Sequence, residues 1–268
     1  AMHDAQIPYW QLWRDIGAPA TRELEPVLTR WMDRHGPEEQ RWLDAIRDSD
    51  PDDPMPAHDL WRLYALSRVS DVLITATRPI QPKEPAEPGP RLSVEGYQRF
   101  MRSLGLSALQ VAAFHPFFHE IVTVAQQDDP DAPPVIVREE WPCLTLGRLL
   151  VVRAGCAIAS GVRHVDGRVA ERSRLYWAHA RAGRRVSDLS DGWGQKSQWR
   201  TAFRRDYFGD GLLRYNVDAP AQRDRGVDDD GTTDEERLEL LRHRCFVTYR
   251  NENEQWPWDL RHVERAPR

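Results

Sequence analysis

Five prolines fall between Pro79 and Pro90, in the run Pro-Ile-Gln-Pro-Lys-Glu-Pro-Ala-Glu-Pro-Gly-Pro. A stretch in which every third residue or closer lacks an amide hydrogen and has its φ locked cannot continue a helix or occupy the middle of a sheet. It reads as an extended connector over 79–92 and divides the 268 residues into a region 1–78 and a region 93–268.

The two sides of that connector carry different hydrophobic periods. From Tyr9 onward, Trp10, Trp13 and Ile16, then Leu24, Val27, Leu28, Trp31 and Met32 recur at three-and-four spacing, the mark of amphipathic helices. Pro37-Glu38-Glu39 is expected to open a helix, with proline and acids in its first turn, and Ala57 to Thr77 carries a broad apolar face. Three or four helices fit before the connector. Past it, Val94, Tyr97, Phe100, Met101 and Leu104 predict one more helix, started by Ser93 and ended by Gly105.

Beyond residue 120 the pattern turns to strands. Ile121–Ala125 and Val135–Arg138 flank a polar loop, as in a hairpin with a long tip, and Leu149–Arg153 and Ala157–Ala159 continue the sheet. Val169–Arg181 and Ser197–Phe208 are expected helices over it, with Trp199, Phe203 and Tyr207 on one face of the second. Residues 219–233 hold almost nothing apolar and read as a solvated, mobile loop. Glu235–His243 is an expected helix, and Cys245–Tyr249 an expected strand. The fold class is therefore α+β: a helical N-terminal part, then a small antiparallel sheet covered by helices.

Composition narrows function by exclusion. No apolar run approaches the ~20 residues needed to cross a bilayer, and no basic-then-apolar leader stands at the first residues, so a soluble cytoplasmic protein is expected. A net charge of −5, with arginines dispersed among acids, argues against nucleic acid as a partner. Cys143, Cys156 and Cys245 are odd in number and lack metal-ligand spacing, which leaves buried thiols.

Two segments could carry chemistry. In Phe114-His115-Pro116-Phe117-Phe118-His119-Glu120, two imidazoles and a carboxylate lie in apolar sequence, where an unpaired polar group is costly. Their geometry turns on local structure: His115 and His119 share one helical turn, or stand ~13 Å apart along a strand. Pro116 favours the turn, whereas Val122 and Val124 favour the strand. His115 and His119 with a third ligand from His164, Glu139 or Glu140, His164 being preferred, would hold a divalent metal such as iron, zinc or manganese, the ligand chemistry of a metal-dependent oxidoreductase or hydrolase. Without metal, His115, His119 and Glu120 are the candidate proton-handling residues. The plainer reading is a pair of histidines bonding backbone carbonyls.

The second segment runs from Asp188 through Gly192-Trp193-Gly194-Gln195-Lys196-Ser197 to Arg204. Trp193, Lys196 and Ser197 would bind substrate at the start of the expected helix, where free amides favour an anion, and Arg200 and Arg204 would clamp a carboxylate or phosphate. The alternative is a helix whose arginines pair with Asp206 and Asp210. Together the two segments point to an enzyme acting on a small anionic metabolite. The competing expectation is a non-catalytic protein, toxin-neutralising or regulatory, in which the acidic stretches Asp48–Asp53 and Asp228–Glu236 meet a basic protein partner. The Trp256-Pro257-Trp258 segment either docks the chain end or offers an aromatic anchor, and docking is the expectation.

Overall fold

The computed structural model describes residues 7–18, 21–77, 91–187, 199–219, 231–251 and 256–267. The helices are α1 (Ile7–Ile16), α2 (Glu25–Arg47), α3 (Ala57–Thr77), α4 (Val94–Ser103), α5 (Gly167–Ala170) and α6 (Asp234–His243). The strands are β1 (Ser107–Leu109), β2 (His119–Gln126), β3 (Val135–Trp141), β4 (Cys143–Leu146), β5 (Leu149–Val152), β6 (Ala154–Ser160), β7 (Leu175–Tyr176), β8 (Val186–Ser187), β9 (Asp206–Gly209), β10 (Leu212–Tyr215) and β11 (His262–Arg265). The class is α+β, helices first and mostly antiparallel strands after. No described helix is long and apolar enough to cross a membrane.

The chain forms two compact units, residues 1–108 with 178–203, and residues 109–177 with 204–268. The first change of unit along the chain falls after α4, and the chain returns to the first unit for 178–203. Of the expected connector, 78–90 lie outside the described residues, as do most of the 219–233 loop and the segment 188–198.

In the first unit α1 to α4 pack around α3, whose Leu63, Leu66, Val69, Leu73 and Ile74 are buried, each worth about 1.5–3 kcal/mol of apolar burial. Because α3 is enclosed on most sides, its polar groups need partners. Arg62 is held by Glu39 through Nε and Nη2, at 3.1 and 2.6 Å, and Ser70 by the Tyr97 hydroxyl at 2.8 Å. Asp71 accepts from the His179 amide and the Arg181 guanidinium, both at 2.6 Å. Pro37 does not open a helix: α2 runs through it. The stripe Val27, Leu28, Trp31, Leu43 and Ile46 stays buried on both sides of Pro37, and that packing outweighs the lost backbone bond. Ser93 caps α4 as expected, its Oγ accepting from the Gly96 amide at 2.9 Å.

The second unit contains two sheets. One has the order β1-β4-β5-β9-β10-β11, in which the successive pairs from β4/β5 to β10/β11 are antiparallel, and the other the order β2-β6-β3. The expected hairpin of β2 and β3 is therefore corrected: β6 lies between them, parallel to β2 and antiparallel to β3. Leu149–Val152 and Ala157–Ala159 consequently belong to different sheets. The expected helix over 197–208 is corrected as well, because Asp206–Gly209 is a strand turning into β10 through Asp210-Gly211, both at positive φ, the signature of a tight hairpin. Likewise, of the expected 169–181 helix only Val169 and Ala170 are helical, as the end of α5. The backbone then turns to distant partners, with the Tyr176 amide donating to the Arg244 carbonyl at 2.8 Å. Residues 245–249 form no strand, since the Glu239 carboxylate takes the amides of Val247, Thr248 and Tyr249 at 2.7–3.2 Å. Helix α6 begins where expected, closed by a reciprocal cap between Thr233 and Glu236.

Candidate functional site

The strand pair β9/β10 and the last turn of α6 bring charged side chains into the interior of the second unit. Asp206, wholly buried at the start of β9, accepts from Arg204 Nε at 2.8 Å and from the Asn216 amide at 2.9 Å. Arg153 reaches the same carboxylate at 3.4 Å and Arg244 at 3.5 Å. Arg153 also donates to the Arg242 carbonyl at 2.6 Å, and Arg204 to the Leu241 carbonyl at 3.0 Å, so two guanidiniums close the carbonyl end of α6. Three buried cations thus surround one carboxylate, with the buried Glu120 exerting a further attraction on Arg153. Burial lowers the Arg204 pKa to about 10 against the pull of Asp206. Burial would raise that of Asp206, but Arg204, Arg244 and Arg153 hold it below the usual carboxylate range.

Arg204 also faces an aromatic group. Its guanidinium lies 4.9 Å from the centre of the Trp256 ring, against which Trp177 packs edge-on at 5.9 Å and Tyr176 at 5.6 Å. Trp258 meets Trp177 edge-on at 5.6 Å. Trp177 has φ +58°, a conformation that costs a bulky residue on the order of 1–3 kcal/mol. Among the described residues, three buried donors of this group have no hydrogen-bond partner: Arg204 Nη1, Trp256 Nε1 and Trp177 Nε1.

A second polar group adjoins the first through Arg242. Glu264 on β11 accepts from the Tyr215 hydroxyl at 2.5 Å and pairs with Arg242 at 3.1 Å, His115 at 3.6 Å and His262 at 3.7 Å. Burial works against its charge, yet His262, Tyr215 and Arg242 bring its pKa down to about 2. Nearby His243 is lowered to about 3 by burial, with Arg242, Arg153 and His115 adding to the effect.

The expected site residues separate on this frame. His115 and His119 do share one turn: the His115 carbonyl accepts from the amides of Phe118 and His119 at 3.1 and 3.0 Å, and β2 starts at His119. That turn occupies the rings, however. His119 Nδ1 lies 3.0 Å from both the amide and the carbonyl of His115, and His115 Nδ1 accepts from the Phe117 amide at 3.2 Å. His119 is thus a brace of the turn, and burial lowers its pKa and that of His115. His164 is exposed and bonds the Asp131 carbonyl at 3.1 Å, and among the described residues no three His, Cys, Asp or Glu side chains are grouped to hold a metal ion. Glu120 is buried and has the charge of Arg153 near it.

Arg200 and Arg204 form no clamp on one helix face. Arg200 belongs to the first unit, its guanidinium 5.7 Å from the centre of the Trp61 ring, and Arg204 to the second. Arg204 does pair with Asp206, as the alternative reading required, whereas Asp210 pairs with Arg148 at 3.0 Å. Trp193, Lys196 and Ser197 lie outside the described residues. Trp256 is buried, so this part of the chain docks as expected, while Trp258 remains 53% exposed. The three cysteines are buried, and burial pushes Cys143 and Cys156 up to about 12, the behaviour of packing thiols.

The residues that sequence reasoning missed are Arg153, Arg244, Trp177, Tyr215, His243 and Glu264. A signal existed for Arg153, a charge inside the apolar run from Leu149 to Ala154. None existed for Glu264, whose partners Tyr215, Arg242 and His115 come from three distant segments and His262 from its own strand. The first unit has a cavity of about 250 Å³ floored by Leu28, Met32 and Phe100, but the charges at its rim, Glu25 and Arg99, are exposed and neutralise each other at 2.7 Å. No family model matches the chain, and neither a curated protein nor a solved structure matches it.

Proposed function

We propose that this protein acts on a small anionic metabolite, recognised in the second unit by Arg204 with Trp256 and Trp177 beside it. The observation that carries this reading is the presence of three buried N–H donors, Arg204 Nη1, Trp256 Nε1 and Trp177 Nε1, for which the described residues supply no acceptor. Each buried, unmet donor costs about 1–3 kcal/mol, and an oxyanion offers several lone pairs to such donors. Glu264, Tyr215 and His115, joined to the arginines through Arg242, are the groups nearest to hand for proton transfer. Nothing in the described residues favours a metal for this chemistry.

The test is a thermal-shift series with phosphate, sulfate and small carboxylates on the intact chain. A ligand bound only by the folded state at a hundred times its Kd adds about 2.7 kcal/mol of stability. Trp256→Phe keeps an aromatic ring, removes the N–H and leaves space in the core, so it should lower the Tm of the free protein and also shrink the rise that an anion produces above that lower baseline. No stabilisation of the unsubstituted protein by any anion would leave the arginines a purely structural network.

A partner-binding protein is the second reading. It is favoured by β3, an edge strand of its sheet with Val135 and Val137 47% and 64% exposed. Val137→Lys would disrupt association with a partner and leave anion binding untouched.

A further inference from the structure

We infer, resting on the partner-binding reading above, that the partner at β3 is a second copy of this chain. The two β3 strands pair antiparallel about a two-fold axis between Arg138 and Glu139. The sheet β2-β6-β3 has two edges, and the fold treats them differently. On the β2 edge the Val124 amide donates to the Glu171 carboxylate at 2.9 Å, and the Gly167 amide of α5 donates to the Gln126 side chain at 3.0 Å. A further strand would have to displace these contacts to pair along β2. On the β3 edge, among the described residues, no backbone–backbone hydrogen bond of residues 135–140 falls outside the ladder with β6. Such an edge is a template for another strand, and Val135, Val137, Arg138 and Glu139 on it are exposed.

The charges along that edge select which strand fits. The β3/β6 register shifts between Ile136 and Arg138 and again between Glu139 and Trp141, so Val137 and Glu140 are bulged out of the ladder. The regular step between the two bulges is Arg138-Glu139, opposite Ala157 and Cys156, at the middle of the strand. Turned about an axis between these two residues, Arg138 of each copy faces Glu139 of the other. Two opposite-charge cross-strand pairs form at once, with Cβ atoms about 4.5–5.5 Å apart. A parallel, in-register pairing would set arginine against arginine and glutamate against glutamate, which is repulsive. Val137, 64% exposed, gains a neighbouring strand on its open side. The contact uses the same edge on both copies, and the β2 edge is already occupied, so growth of this sheet stops at two chains.

The experiment is sedimentation equilibrium of the intact chain from micromolar to near-millimolar concentration, with Arg138→Glu and Glu139→Arg made separately and then mixed. The unsubstituted chain should form a dimer. Each variant alone sets like charges opposite each other twice, and should self-associate at least about tenfold more weakly. Their equimolar mixture restores two opposite-charge pairs and should recover the unsubstituted affinity, which damage to β3 itself would not allow. A monomer at every concentration, a dimer indifferent to both substitutions, or a mixture no tighter than the variants alone would overturn this inference. Hydrogen exchange on a monomer then separates it from the reading it rests on. Fast exchange of the outward β3 amides leaves the edge open to a different partner, and that reading stands. Protection of those amides shows the edge covered within the chain, and both fail.

Discussion

Arg204, two residues ahead of β9, and Asp206, the first residue of β9, meet at 2.8 Å, their side chains 1% and 0% exposed. The pair is costly to break. Two more guanidiniums, of Arg153 and Arg244, depend on the same carboxylate.

Asp206→Asn should therefore destabilise the second unit by about 3–5 kcal/mol, since it removes the buried carboxylate that Arg204, Arg153 and Arg244 share. Urea denaturation followed by tryptophan fluorescence measures this. A loss below about 1 kcal/mol would mean that water or a bound anion already screens the arginines.

A similar contrast applies in the first unit. Arg62 is buried, bidentate to Glu39 and stacked 4.3 Å over Trp42, whereas Arg99 meets Glu25 in the open. Arg62→Ala should cost about 3–5 kcal/mol and Arg99→Ala less than about 1 kcal/mol, measured by the same denaturation curves. Equal effects would contradict the burial assigned to these pairs.

Acid should weaken the fold in two steps. The folded protein refuses a proton at His243 until about pH 3, while an unfolded chain takes one near 6.5, so stability falls as pH drops through that window. Glu264 stays charged in the fold down to about 2 but protonates near 4.5 when unfolded, adding a further loss below that pH. Each group contributes a slope of up to about 1.4 kcal/mol per pH unit. His243→Gln should make the decline between pH 6.5 and 4.5 shallower, with His115 and His119 sustaining the remainder and the Glu264 step intact. An unchanged slope in that variant would show that His243 is solvated.

Gly155 lies on β6 directly under Trp141, where an added Cβ would come within 2.4 Å of the indole ring. Trp141 cannot move aside easily, because its Nε1 donates to the Arg153 carbonyl at 2.9 Å and its side chain is buried. Gly155→Ala should cost about 1–3 kcal/mol or more through overpacking, read as a lower Tm. A neutral result would mean that β6 and β3 can separate locally.

Long, continuous periodicity was legible in the chain itself. The apolar spacing of 57–77, 94–103 and 234–243 marked α3, α4 and α6 closely, because each such helix satisfies its own backbone bonds and needs only a buried stripe from its surroundings. The α+β class followed from the same contrast of periods, whereas for His115 and His119 Pro116 pointed to a shared turn and Val122 and Val124 to a strand, and the sequence left the two open. What the sequence alone left open depended on partners far away along the chain. The spacing of Trp199, Phe203 and Tyr207 suited a helix as well as an extended segment, and Asp210-Gly211, a hairpin signal in plain view, was decisive only once β10 had a β11 to pair with. Cys245–Tyr249 had strand composition, but Glu239 took its amides. Arg204 looked like a surface clamp until the fold placed Asp206, Arg153 and Arg244 around it. Local residue order sets which dihedrals and faces a segment prefers, but burial, counter-charges and unmet donors are properties of space shared by segments distant in sequence. For this reason only the tertiary structure could decide that the cationic group lies inside the protein, beside Trp256 and within reach of Glu264.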